Sequence, residues 1–394
     1  MIKNSTFLLA FAFFSFLLLL SACTEEESEE TLKSKFLEKI KSQQKTSEET
    51  PEKTTPASSG TNSHANEAFP PIYVSIFSHN EEAYSSGYPN FVDDEDAFWE
   101  QREGVVNFAT MLAEEGVMYN YQSDWTFLLA MSIYDEGTAS TNNKNLVRYL
   151  KEDLGFEVDP HAHETEYNYA DVAYLIEQLG VEPSQTVGGA LLLPPKDSKL
   201  EYLWEPLTGW KYPSYTWKAK VIMGGGTAKH QNEEALWISG IWKPQNDENT
   251  LVHDDDAPLP VIGTYGRRSS DGDSLGTHID ELLELQKEGV LIPGKMYTAS
   301  LSLRQDEFTE EYIEDFKEMI EGYEEETAEG KIIWVGFDEL YNIWITEYNA
   351  EPNQLHYLDF HSDEATTSTT EGTCGNGTCE LFERKMDICP EDCE

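Results

Sequence analysis

Polar and apolar positions along this chain repeat with two alternating periods. Ile72 to Ser78 (IYVSIFS) is an unbroken β-branched and aromatic run directly after Pro70-Pro71, the pattern of a strand buried on both faces. Asp93 to Glu115 instead returns to apolar residues every three or four positions, through Phe98, Val105, Phe108, Ala109 and Leu112, and it begins with acids, so it predicts a helix. Val117 to Gln122 predicts a second strand, and Phe127 to Tyr134 and Asn143 to Leu154 predict helical segments. Phe156 starts a third strand, and YNYADVAYLIEQLG predicts the helix after it. The alternation continues with strands at Thr186–Leu193, Lys220–Met223, Met296–Leu303 and Lys331–Val335, and a further strand region made from Ala235–Trp242 with Leu259–Ile262. Helices are expected at Ile279–Lys287, Glu307–Glu325 and Glu339–Glu347. Seven or eight such strand–helix units predict an α/β fold, a distorted parallel (β/α) barrel, rather than a dinucleotide-binding sheet. The Gly224-Gly225-Gly226 triplet opens no dinucleotide fingerprint and reads as a tight turn.

The two ends break this pattern. Lys3 followed by the apolar run Phe7 to Leu20 matches the core of a secretory signal and is short for a membrane span. Leu20-Ser21-Ala22-Cys23 resembles a bacterial lipobox, which implies a signal peptide over residues 1–22 and a lipid anchor on Cys23. Residues 23–68 are rich in Glu, Ser, Thr, Lys and Pro and predict a disordered tether. The globular domain then spans residues 69–360, followed by a Ser/Thr-rich linker over 361–373. Residues 374–393 hold Cys374, Cys379, Cys389 and Cys393. In an exported chain these predict two disulfides stapling a small module, with three pairings open. Asn376, Glu383, Asp387 and Asp392 are candidate calcium ligands beside them.

Charge narrows the partners. The 394 residues carry 27 Lys and Arg against 74 Asp and Glu, a formal net charge of −47. A polyanion gains nothing from displacing another polyanion's counterions, so nucleic acid and electrostatic docking on anionic lipid are excluded. Neutral or cationic ligands and divalent cations fit.

Candidate chemistry gathers at the strand ends. On an extended chain residues two apart share a face, so His161 and His163 in FEVDPHAHE point together at the end of the third strand. If the strands form a barrel, His79, Asn80, Glu81 and Glu82 from the first strand and Asp124 from the second meet them at one mouth. Two imidazoles with a third ligand form an open set that leaves room for water, and zinc is the metal that set suits best. His253 with Asp254-Asp255-Asp256 is expected to cap or solvate a loop. Trp204, Trp210, Tyr212, Tyr215 and Trp217 crowd into WEPLTGWKYPSYTW, where aromatic faces suit sugar rings or form the core of the loop itself.

A strand ending in a histidine–acid cluster, a second ending QSDWTF, and a third with two near-adjacent histidines leading into YADVAYLIEQLGV resemble the polysaccharide deacetylase-like branch of the glycoside hydrolase/deacetylase superfamily. The resemblance spans roughly Ile72 to Tyr348 in organisation and is specific around the first three strands. It implies a divalent metal, usually zinc, held by His161 and His163 with a first-strand ligand at His79 or Glu81. Glu81 or Glu82 would serve as base, and Asp124 is a further catalytic candidate. Trp125, Trp210 and Trp217 are the candidate substrate-binding residues. The function this implies is that of an exported metal-dependent hydrolase removing acetyl groups from an N- or O-acetylated glycan. Two rivals are a glycoside hydrolase using carboxylates from among Glu81, Glu82, Asp124 and Glu339, and a non-catalytic glycan-binding envelope lipoprotein.

Overall fold

The structure, a computed structural model, describes residues 70–80, 88–188, 200–223, 238–265 and 272–356. The expected signal peptide, the Cys23 anchor, the tether, Glu81, Glu82, the linker and the four-cysteine module all lie outside the described residues. No helix among the described residues is long and apolar enough to cross a membrane.

Strand β1 (Ile72–His79) is buried along its whole length, as its unbroken apolar run requires of a strand covered on both faces. Along one edge it pairs in parallel with all of a later strand, Ile72 opposite Tyr297 through His79 opposite Arg304. Its other edge is divided between two strands. β2 (Tyr119–Ser123) pairs with Ile76–His79, and the strand Ile332–Trp334 pairs with Ile72–Val74. β3 (Glu157–Pro160) extends the sheet beyond β2, again in parallel. A second sheet is ordered β4 (Thr186–Val187), β7 (Val221–Met223), β10 (Val261–Ile262), β9 (Ile241–Trp242), counting β5 (Leu207–Thr208), β6 (Thr216–Trp217) and β8 (Ile238–Ser239) between them in the chain.

The two sheets meet at both ends. On one side a parallel bridge joins His161 to Gly188, whose amide donates to the Pro160 carbonyl at 3.0 Å. On the other, β11 (Tyr297–Arg304) is tied to the β8–β10 region: the Ser300 amide donates to the Thr264 carbonyl at 2.9 Å, and the Thr298 amide to Ser239 Oγ at 2.7 Å. The result is a mixed α/β fold whose parallel strands are arranged roughly as in a (β/α) barrel. It departs from the expected all-parallel ring where β9 runs antiparallel to β10, and β5 to β6 and β8 to Leu355–His356 also pair antiparallel. The expected strand through Ala235–Trp242 is broken at Gly240, whose φ of 125° is open to glycine and strained for other residues. The expected helix over Asn143–Leu154 is a short turn, Leu146–Arg148, running into a π-helical turn, Tyr149–Asp153.

The helices follow their caps. α1 (Glu95–Glu114) starts where the Asp94 carboxylate accepts from the Ala97 amide at 3.0 Å, and α2 (Trp125–Tyr134) starts where Asp124 accepts from Phe127 at 3.1 Å. α3 (Tyr169–Gln178), α4 (Gly272–Lys287), α5 (Glu310–Glu321) and α6 (Glu324–Ala328) complete the outer layer. Alternation along β1 divides the core in two. Ile72, Val74 and Ile76 belong to the main core with the outer helices. Tyr73 and Phe77 belong to a second cluster with Val221, Met223 and Ile262. That inner cluster is filled by α7 (Phe337–Thr346), which follows β12 (Ile332–Trp334) and contributes Phe337, Leu340 and Trp344.

Candidate functional site

The three histidines singled out in the sequence come together. His79 ends β1, and its ring lies parallel to that of His161, with centroids 4.5 Å apart and 7° between the planes. His163 stands edge-on to His161 at 5.1 Å and 82°. His79 and His161 are buried, and His161 Nδ1 donates to the Gly188 carbonyl at 3.0 Å, which assigns its tautomer. One residue beyond His163 the chain leaves the extended conformation altogether, because Glu164 adopts a φ of 55°.

This geometry overturns the zinc centre and the metal-dependent hydrolase built on it. An imidazole nitrogen presents its lone pair in the plane of the ring, and zinc sits about 2.0–2.1 Å from it. Two stacked, nearly parallel rings share no point that lies in both planes at that distance. Among the described residues no group of three or more His, Cys, Asp or Glu side chains could hold a metal ion, so neither zinc nor calcium has a site there. The acids expected to bind calcium beside the C-terminal cysteines lie outside the described residues. His253 is held locally, its Nδ1 accepting from the Lys243 amide at 3.1 Å and its Nε2 facing Asp255 at 2.9 Å.

Asp124 reaches the expected strand end but is fully buried, and there it caps a helix. One carboxylate oxygen accepts from the Phe127 amide, and the other from the Thr126 hydroxyl at 2.9 Å. Its own amide donates to Asn80 Oδ1 at 2.9 Å, which ties the end of β1 to the end of β2. Below the histidines, Asp159 and Glu157 lie two and four residues before His161 and therefore on the same face of β3. Asp159 accepts from Ser184 Oγ and from Gln122 Nε2. Glu157 receives the Asp338 amide at 3.0 and 3.1 Å, capping α7. Burial pushes the Glu157 carboxyl up to about 7, and burial together with the neighbouring Glu157 charge raises that of Asp159 well above the carboxylate range.

A second constellation lies beside the histidines. β5 and β6 pair antiparallel as a hairpin, and its tip is fixed by one buried carboxylate. Asp171 accepts from the amides of Trp210 at 2.9 Å, Lys211 at 3.0 Å and Tyr212 at 2.9 Å. Asp171 also closes a capping box with Asn168 at the start of α3, and Asn168 Nδ2 donates to the Thr208 carbonyl at 2.8 Å. Gly209 is required at the tip, since a Cβ there would collide with the Asp171 carboxylate. Held this way, Trp210 is 51% exposed.

Next to it Trp125 stacks on Tyr167 at 4.4 Å and 18°, and Tyr212 lies 6.5 Å from Tyr167 and 4.2 Å from Tyr174. Tyr202 is 41% exposed and interacts with Glu164 and Asn168; burial and the Glu164 charge raise its phenol pKa. Trp217, the third tryptophan expected to meet substrate, lies in the core, with its indole N–H on the Ser184 carbonyl at 3.1 Å. Tyr167, Asp171 and Lys211 were not singled out in the sequence. The Asn-Tyr-Ala-Asp spacing of a capping box is the one local signal that marks Asp171.

No protein-family model and no curated protein matches the chain. Among solved structures, a protein assigned as a polysaccharide deacetylase from Pseudomonas aeruginosa PAO1 is similar at 12% identity with a TM-score of 0.43, covering 70% of this chain and 91% of that one. A protein from Parabacteroides distasonis assigned as a glycoside hydrolase/deacetylase is similar at 13% identity and a TM-score of 0.45, covering 70% of this chain and 72% of that one. PuuE allantoinase is similar at 11% identity and a TM-score of 0.43, with 73% and 98% covered. All three likenesses are distant.

Proposed function

We propose that this is an exported glycan-binding protein, held at the cell envelope by lipid on Cys23, whose binding face is the aromatic surface beside the histidine stack. The observation that carries the reading is the exposed Trp210, 51% accessible on a hairpin tip pinned by Asp171, next to the stacked Trp125–Tyr167 pair. Aromatic faces with polar edges match the CH faces of sugar rings. Fixing the hairpin beforehand lowers the entropy lost when a ligand settles on it. The use of Asp124 as the cap of α2 supports binding over glycosidic hydrolysis through that carboxylate.

Titration calorimetry of the purified protein against soluble envelope-type oligosaccharides tests the proposal. Binding is expected, and Trp210→Ala is expected to weaken it about 10-fold, equivalent to about 1.4 kcal/mol, without lowering the melting temperature. Equal affinity of the two proteins for every glycan would remove Trp210 from the binding face. Absence of binding by the wild type would sink the reading itself.

A further inference from the structure

The aromatic face has an acidic border. The loop that carries His163 also carries Glu164 and Glu166, and Glu201 adjoins the exposed Tyr202, which interacts with Glu164. The one lysine among the hairpin-tip residues 209–212 is Lys211, and it is already engaged. Its ammonium lies 5.2 Å over the Tyr167 ring and 3.4 Å from a Glu166 carboxylate oxygen. The chain thereby displays how this face treats an ammonium group, with an aromatic plane beneath it and a carboxylate beside it. The chain as a whole carries a formal charge of −47. An anionic sugar would meet repulsion at short and at long range.

On the glycan-binding reading above, we infer that the glycan recognised here carries free primary amines. It is an amino-sugar polymer lacking some or all of its N-acyl groups, rather than a fully N-acylated or uronic-acid polymer. Sugar rings lie on Trp210 and against the partly buried Trp125, which Tyr167 backs from the core. Ammonium groups point to the Glu164, Glu166 and Glu201 border, in the manner of the Lys211 ammonium. Glu164 joins this border to the aromatic face through its interaction with the exposed Tyr202.

The test compares three oligosaccharides of equal length bound to the full chain by calorimetry: free-amine glucosamine oligomers, their N-acetylated forms, and uronate oligomers. The amine form is expected to bind at least 10-fold tighter than the N-acetylated form at low salt, with the advantage shrinking at 0.5 M NaCl. The Glu164→Gln, Glu166→Gln double variant is expected to lose most of that advantage. Trp210→Ala is expected to weaken amine-oligomer binding about as strongly as binding of the N-acetylated form. Equal or tighter binding of the N-acetylated or uronate form overturns this inference and leaves glycan binding intact. An amine preference that survives undiminished in the Glu164→Gln, Glu166→Gln variant also overturns it, since attraction to the acidic chain as a whole would then account for the preference. Failure of all three oligomers to bind overturns both this inference and the reading beneath it.

Discussion

At the scale of single residues, Glu157 is the most consequential ionisable group. It is buried, caps α7, and has Asp159 on its own strand, Asp338 on the helix it caps, and Lys151 as its one favourable charge. Its carboxyl is raised from 4.5 to about 7, mainly by burial. A carboxyl raised on folding stabilises the fold fully below its unfolded value, and that stabilisation is lost as pH climbs through the folded value. The window is therefore about pH 4.5 to 7, with Asp159 acting in the same direction. The shift corresponds to an effect on the order of 3 kcal/mol. Glu157→Gln keeps an oxygen for the Asp338 amide and removes the charge. Its melting temperature is expected to match the wild type at pH 4.5 and exceed it at pH 8. Parallel melting curves for the two proteins across that range would show that Glu157 ionises without penalty.

The elements show where sequence reading succeeds and where it stops. β1 is legible because it is an apolar run whose burial needs no knowledge of its partners, whereas β2 and β3, which bury Asn120, Gln122, Glu157 and Asp159, are legible from the strand–helix alternation around them. α7 is displaced from its expected start at Glu339 to Phe337 because its cap, Glu157, comes from a strand far away in the chain. The short strands β5, β6, β8 and β9 are two residues each, and their pairing is set by tertiary contacts that leave no periodicity. At the site, the shared face of His161 and His163 was legible, but ring orientation was not. The stack of His79 on His161 depends on how β1 and β3 lie across β2.

Element packing also sets the strongest stability prediction. Arg102 of α1 and Asp135, at the end of α2, form a buried ion pair at 2.6 Å, and the same Asp135 oxygen accepts from the Leu146 amide at 2.8 Å. Asp135→Ala strands the guanidinium and is expected to cost about 3–5 kcal/mol in urea denaturation. Adding Arg102→Met should recover part of that loss, whereas purely additive losses would assign the effect to the Leu146 contact alone.

For the whole molecule, the excess of acids works against the fold it surrounds. A formal charge of −47 repels itself most strongly in the compact state, so screening should stabilise the protein. The Debye length falls from about 30 Å at 0.01 M salt to about 10 Å at 0.1 M and about 3 Å at 1 M. Most of the repulsion between separated surface carboxylates should therefore be gone by a few hundred millimolar. Surface ion pairs such as Arg148–Glu152 and Lys295–Glu351 lose attraction over the same range, but exposed pairs are worth about 0–1 kcal/mol each. Repulsion among 74 acids facing 27 bases outweighs them. The melting temperature at pH 8 is expected to rise between 10 mM and 0.5 M NaCl, by about 2–4 °C for each kcal/mol of repulsion screened. At pH 5, where more carboxylates are protonated, the rise should be smaller. A melting temperature that falls with salt at pH 8 would mean that the ion pairs dominate, and a flat one that the acids are spaced widely enough to ignore one another.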